Sequence, residues 1–153
     1  MRVLVDTNVI ADWLMCRSPF FNDSKYIIME CLKGNIEGFI TSHTVTDLFY
    51  ILRKDFSVEK RKQLLLLLCR HFNILIEDKN TIISALSNDS WNDLEDGLQM
   101  LCAYLNKLDY VITRDIEDFR SSKIPAVSPH SFIEKSGENF LSEQQRKNGY
   151  AEE

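Results

Sequence analysis

Val3-Leu4-Val5-Asp6-Thr7-Asn8 opens the chain with three apolar residues, halts at a carboxylate and passes into residues suited to starting a helix. A run this short and this β-branched reads as a buried strand, and residues 8–14 then read as a short helix. Moving outward, Pro19 suits the first turn of a second helix that runs to Cys31 and ends at Gly34. Gly38 to Thr41 is the next strand, with Ser42 or Thr44 capping a helix through Val45, Leu48 and Leu52. The spacing predicts a helix over 57–70 capped by Ser57, a strand at 73–76, a helix over 81–86 and a turn at 88–90. A helix over 93–105 follows, with Leu94, Leu98, Leu101, Cys102 and Leu105 on its apolar face. Residues 110–113 and 125–127 make two more strands, and 131–135 a last helical turn. Strands alternating with helices imply βαβ units and a mainly parallel sheet covered by helices. In such a sheet ligands bind beyond the carboxyl ends of the strands, where Asp6 stands.

The chain has 153 residues, 44% hydrophobic and 27% charged, and suits one globular domain over residues 1–135 followed by a polar tail at 136–153. A net charge of -5 argues against holding nucleic acid by a broad basic face, although carboxylates gathered around a cation leave a nucleic-acid enzyme open. The four cysteines, Cys16, Cys31, Cys69 and Cys102, form no Cys-x-x-Cys pair and read as small buried hydrophobes in a reducing cytosol. No signal peptide is visible, and the leucine run at 64–69 is far short of the roughly 20 residues a membrane span requires, so a soluble, cytoplasmic protein is expected.

Three later acids repeat the placement of Asp6: Asp47 in the first turns of a helix, Asp96 in the first turn or so of another, and Asp115 just past a strand. Like charges brought this close raise one another's pKa unless a cation compensates, so the four acids read as a site for a hard cation, Mg²⁺ or Mn²⁺. Such a site fits phosphodiester hydrolysis without a nucleophilic side chain. Thr7, Asn8 and Thr113 flank the acids and suit the orienting of a carboxylate or water. Each acid taken alone has a simpler account: Asp6 as a helix cap, Asp47, Asp93 and Asp96 as early-helix acids favourable to the dipole, Asp115 and Asp118 as caps of a turn.

Val3 to Asn8, Ser42-His43-Thr44-Val45-Thr46-Asp47-Leu48, Asp93-Leu94-Glu95-Asp96-Gly97-Leu98-Gln99 and Val111-Ile112-Thr113-Arg114-Asp115-Ile116-Glu117-Asp118-Phe119 together resemble a PIN domain. The resemblance covers about residues 1–135. It implies a three-layer α/β/α, Rossmann-like fold and Mg²⁺- or Mn²⁺-dependent ribonuclease activity, often as a VapC-type toxin neutralised by an antitoxin. Asp6, Asp96 and Asp115 match the family's first, third and fourth acids and become the principal ligands. Asp47 stands where members commonly carry Glu; its shorter reach keeps open a catalytically weak module that binds RNA or protein without cutting. Some relatives carry Asn at position 115, so Asp118 is a candidate to share that ligand role, and Asp93 is an accessory candidate.

His43 and His71 show no partner at metal-binding spacing, although His43 is placed to approach RNA near the Asp47 helix. Arg114 suits a substrate phosphate, or else an exposed solvated role. Arg53, Lys54, Lys60, Arg61 and Lys62 form the main basic cluster, either a solvated helix face or an RNA track. Trp13, Leu14, Phe20 and Phe21 are more apolar surface than an early helix needs, which suggests a homodimer or antitoxin surface.

Overall fold

The computed structural model describes residues 1–137. β1 (Arg2–Val5) leads into α1 (Thr7–Leu14) and α2 (Phe21–Leu32), β2 (Glu37–Thr41) into α3 (Ser42–Ile51) and α4 (Val58–His71). β3 (Asn73–Leu75) is followed by α5 (Lys79–Leu86) and α6 (Leu94–Leu105), then β4 (Tyr110–Ile112) and β5 (Ala126–Val127). Residues 129–137 are helical. The five strands form one sheet in the order β3-β2-β1-β4-β5, with every pairing parallel. Val3 pairs with Gly38 on one side and Tyr110 on the other, so the first strand is the centre of the sheet.

Alternation along the strands divides the core into two layers. Val3, Val5, Ile40, Ile112 and Val127 point to one face, against Val9, Ile10, Ile27, Ile28, Leu48, Leu65 and Leu68 of α1 to α4. Leu4, Phe39 and Val111 point to the other, against Met100, Cys102 and Ala103 of α6. The expected α/β/α sandwich with a parallel sheet is therefore what the chain adopts.

Local differences have physical causes. Pro19 lies in the turn before α2, which starts at Phe21, while Gly34 at φ +79° ends that helix as expected. Neither Ser42 nor Thr44 caps α3: its cap position is Thr41, whose side chain makes no capping bond. Ser57 does cap α4, accepting from the backbone N–H of Lys60. The face that α6 buries is Gly97, Leu98, Gln99, Met100, Cys102 and Ala103, so Leu94 and Leu105 are left 43% and 55% exposed. Cys31 and Cys102 are buried, Cys69 is half-buried, and Cys16 is exposed, contrary to the expectation for it. Trp13 and Leu14 pack against the core instead of forming a free apolar surface. Arg61 turns inward to donate to the Phe49 carbonyl at 2.7 Å and lies over the Phe49 ring, so the basic cluster is not one continuous face. Among the described residues no helix is long and apolar enough to cross a membrane. The polar tail expected at 136–153 lies outside the described residues from 138 onward.

Gly38 is the tightest point of the sheet. A Cβ there would stand 2.6 Å from the Phe72 ring and 2.9 Å from Cys31 Sγ, where α2 and the end of α4 close over β2. Gly38→Val is expected to destabilise the fold by about 2 kcal/mol through overpacking, measured as a lower urea midpoint at unchanged m.

Candidate active site

The backbone N–H of Asp6 still pairs with the Ile112 carbonyl at 2.9 Å, so this residue is fixed at the carboxyl end of β1, beside the end of β4. Its side chain is buried and does not cap α1. Instead Gln99 Nε2 donates to Oδ1 at 3.0 Å and Thr113 Oγ1 to Oδ2 at 2.7 Å, which holds the carboxylate at two points and leaves lone pairs on both oxygens. Burial pushes the Asp6 pKa up, the Thr113 and Gln99 hydrogen bonds oppose that, and Asp115 adds to it.

Asp115 lies two residues past Thr113, whose hydroxyl accepts from the Asp115 N–H at 3.1 Å. Asn8, in the first turn of α1, donates from Nδ2 to Asp115 Oδ2 at 2.8 Å. The start of one helix thus sets a carboxylate 107 residues away. Asp96 is presented by the first turn of α6, and its carboxyl is pushed up to about 7 by burial and then by Asp6, Asp93, Asp118 and Asp115. Asp118 lines a cleft with Asp96, Trp91, Asn92 and Arg120. Asp96 therefore stands within electrostatic reach of Asp6, Asp115 and Asp118, and Asp6 within reach of Asp115.

Asp93 does other work. It is the cap of α6, and its Oδ1 accepts from the N–H groups of Glu95 and Asp96 at 2.8 and 3.1 Å, so it orients the turn that carries Asp96. Asp47 faces Glu95, an acid that sequence reasoning passed over. The carboxyl of Glu95 is pushed up to about 7 by burial first and by Asp47 next, and it accepts from Thr7 Oγ1 at 3.3 Å. The signal was present: residues 93, 95 and 96 occupy a single first turn, and the cap consumes Asp93 while freeing the other two. His43 also has the partner denied to it above. It precedes Asp47 by four residues, one helical turn, and His43, Asp47 and Glu95 offer ligand atoms within 4.8 Å of one another.

Arg114 sits at the rim of this group. Its NH1 lies 3.1 and 3.2 Å from the two oxygens of buried Asp12, its guanidinium covers the Phe20 ring at 4.7 Å, and its Nε reaches only to 3.9 Å from Asp115.

The donor set is oxygen-rich, suited to Mg²⁺ or Mn²⁺. Two buried oxygens beside it, Asn8 Oδ1 and Gln99 Oε1, lack a hydrogen-bond partner among the described residues, as polar atoms next to a hydrated cation can. The residues fit such an ion. With chelator present, the raised carboxyls of Asp96 and Glu95 keep protons in the folded state that the unfolded chain gives up above about pH 4 to 5. Stability contributed by these groups is therefore full at low pH and is lost as pH rises toward 7. The melting temperature of the chelated protein should fall between pH 5 and pH 8, and Mn²⁺ should flatten that slope. Differential scanning fluorimetry checks both; a rise in melting temperature over the same interval would contradict the arrangement.

A family model described as a PIN domain matches residues 2–117. Among solved structures, the fold is similar to a chain of a toxin-antitoxin complex from Klebsiella pneumoniae, at 21% identity and TM-score 0.62, covering 83% of this chain and 97% of that one. It is similar to VapC20 of Mycobacterium tuberculosis, a toxin that cleaves the sarcin-ricin loop, at 12% identity and TM-score 0.66, covering 83% and 99%. A third likeness is to a chain of VapBC2 from Rickettsia felis bound to a fragment of promoter DNA, at 18% identity and TM-score 0.61, covering 84% and 98%. No curated protein matches the sequence.

Proposed function

The chain belongs to the PIN domain family, and from that premise we propose that it is a divalent-metal-dependent endoribonuclease, the toxin of a toxin–antitoxin pair acting in the cytoplasm. The observation that carries the reading is the gathering of Asp6, Asp96 and Asp115 beyond the carboxyl ends of β1 and β4, with Asp6 held by Gln99 and Thr113, Asp115 by Asn8, and the turn that carries Asp96 capped by Asp93. When bound there, Mg²⁺ or Mn²⁺ would polarise a phosphoryl oxygen and make an attacking water more acidic.

The protein's part is to hold and aim. Thr113 and Gln99 fix both oxygens of Asp6, and Asn8 fixes Asp115, so two ligands are set before any ion arrives. Asp96 is lifted on the α6 turn that Asp93 caps, with Asp118 alongside to share the role of Asp115. Asp47 supports the far side of the site, and Glu95, in contact with it, supplies a second carboxylate there. That pairing weakens the alternative of a non-cutting module. Arg114 is a cation available to a substrate phosphate at the rim, beside Asp115.

For partners, the reading includes an antitoxin and a second copy of the chain. The toxin-antitoxin complexes with the same fold support the first. For the second, Ile76, Ile83 and Leu86, at and after the edge strand β3, are 78%, 50% and 65% exposed. The test is incubation of the purified chain with single-stranded RNA in Mn²⁺, Mg²⁺ or EDTA. Cleavage with either ion that stops in EDTA is the expected result, and metal-independent RNA binding without cleavage would support the module instead.

A further inference from the structure

The geometry points to a second cation site of mixed donors, His43 Nε2 with the carboxylates of Asp47 and Glu95, that takes a transition-metal ion such as Zn²⁺ in preference to Mg²⁺. Two helices meet there. α3 presents His43 and Asp47 one turn apart on the same face, and α6 presents Glu95 from its first turn; the three ligand atoms lie within 4.8 Å of one another. Nε2 is 3.9 Å from Glu95 Oε1. Around an ion with bonds of about 2 Å, ligand atoms stand roughly 3 to 4 Å apart, so small side-chain adjustments close the set. Three protein ligands leave the remaining position to water.

An independent feature from outside the trio prepares the imidazole for this role. Glu77, from the connection between β3 and α5, has a side chain only 6% exposed and is hydrogen-bonded to His43 Nδ1 and to the Ser42 hydroxyl. With Glu77 against Nδ1, the Nε2 edge of the ring faces Thr41 Oγ1, at 3.2 Å, and the Glu95 side. A buried carboxylate behind the far nitrogen is the usual companion of a metal-binding histidine, fixing the ring and raising its basicity. An imidazole donor is also what separates this trio from the all-oxygen group at Asp6, because nitrogen ligands favour Zn²⁺ and Mn²⁺ over Mg²⁺.

The inference rests on the nuclease reading through Asp47 and Glu95, which both share. Calorimetric titration of Zn²⁺ into the full chain in saturating Mg²⁺, without RNA, tests it apart from cleavage. One Zn²⁺ per chain is expected. His43→Ala should weaken it at least about tenfold, and Glu77→Gln, which keeps size and hydrogen bonding, by about tenfold as well, with both variants shown folded by circular dichroism. Asp115→Asn should leave it within about threefold. Zn²⁺ affinity that ignores His43 and Glu77, or that follows Asp115 instead, overturns the site, as does the absence of Zn²⁺ binding. Loss of RNA cleavage in any variant bears on the nuclease reading and does not enter this result.

Discussion

Asp96→Asn is expected to lower metal-dependent RNA cleavage at least about a thousandfold, equivalent to roughly 4 kcal/mol of lost transition-state stabilisation, while raising the melting temperature of the chelated protein at pH 8. The two effects have one origin. Asp96 stands among Asp6, Asp93, Asp118 and Asp115, and that company together with burial moves its carboxyl up to about 7. At pH 8 it is therefore charged at a cost that only a cation offsets. Asparagine keeps the size and removes the charge, so the repulsion disappears together with the ligand. A gain in stability joined to a loss of activity cannot come from unfolding, which makes this variant more informative than Asp6→Asn. At position 6 the amide would confront the donors of Gln99 and Thr113 and lose a buried hydrogen bond. Cleavage and thermal melts measured on one preparation decide it; full activity in Asp96→Asn removes the proposed centre.

Arg114→Met should destabilise the fold by about 3 kcal/mol. Asp12 lies on α1 with its side chain 1% exposed, and Arg114 covers both of its oxygens while Arg17 approaches one at 3.5 Å. Burial still raises the Asp12 pKa despite both guanidiniums, so the pair is only just compensated. Removing Arg114 leaves a buried carboxylate with one half-exposed partner. The double variant Asp12→Leu with Arg114→Met should recover most of the loss, because an apolar pair of similar volume carries no desolvation penalty. Urea titrations of wild type, the two single variants and the double variant give the coupling directly. Kinetics on the same proteins separate a second role: a higher KM at unchanged kcat marks a phosphate contact by the Nε edge near Asp115, whereas an unchanged KM assigns Arg114 wholly to Asp12.

What the sequence made legible was whatever is written locally. The β-branched run before Asp6, the cap at Ser57 and the alternation of strand and helix all act over a few residues, and they suffice for a parallel sheet with acids at its carboxyl edge. Periodicity failed on α6 for an instructive reason. The helix turns polar Gln99 into the core because Asp6 needs a donor, and the apolar Leu94 and Leu105 pay with exposure. A reading that places only hydrophobes inside finds Leu98 and Cys102 but turns the buried face away from Gln99. Contacts across the chain were equally hidden: His43 with Glu77 and Arg114 with Asp12 join residues 34 and 102 positions apart, and no spacing rule connects them. Glu95 was hidden differently, by neighbours of the same chemistry, until the cap role of Asp93 showed which acids of that turn remain free.

The order of the strands has a consequence in time. β1 is the first strand made and the centre of the sheet, yet its neighbour β4 comes more than a hundred residues later. Until Ile112 docks beside Val5, Asp6 lacks the Thr113 hydroxyl and Asp115 has no place to stand. A nascent chain released only as far as α6 holds Asp6, Asp47 and Asp96 but lacks Asp115 and the Thr113 hydroxyl that holds the second oxygen of Asp6. The proposed centre is therefore complete only when synthesis of the domain is nearly over, and a chain truncated before β4 is expected to show no metal-dependent cleavage of RNA.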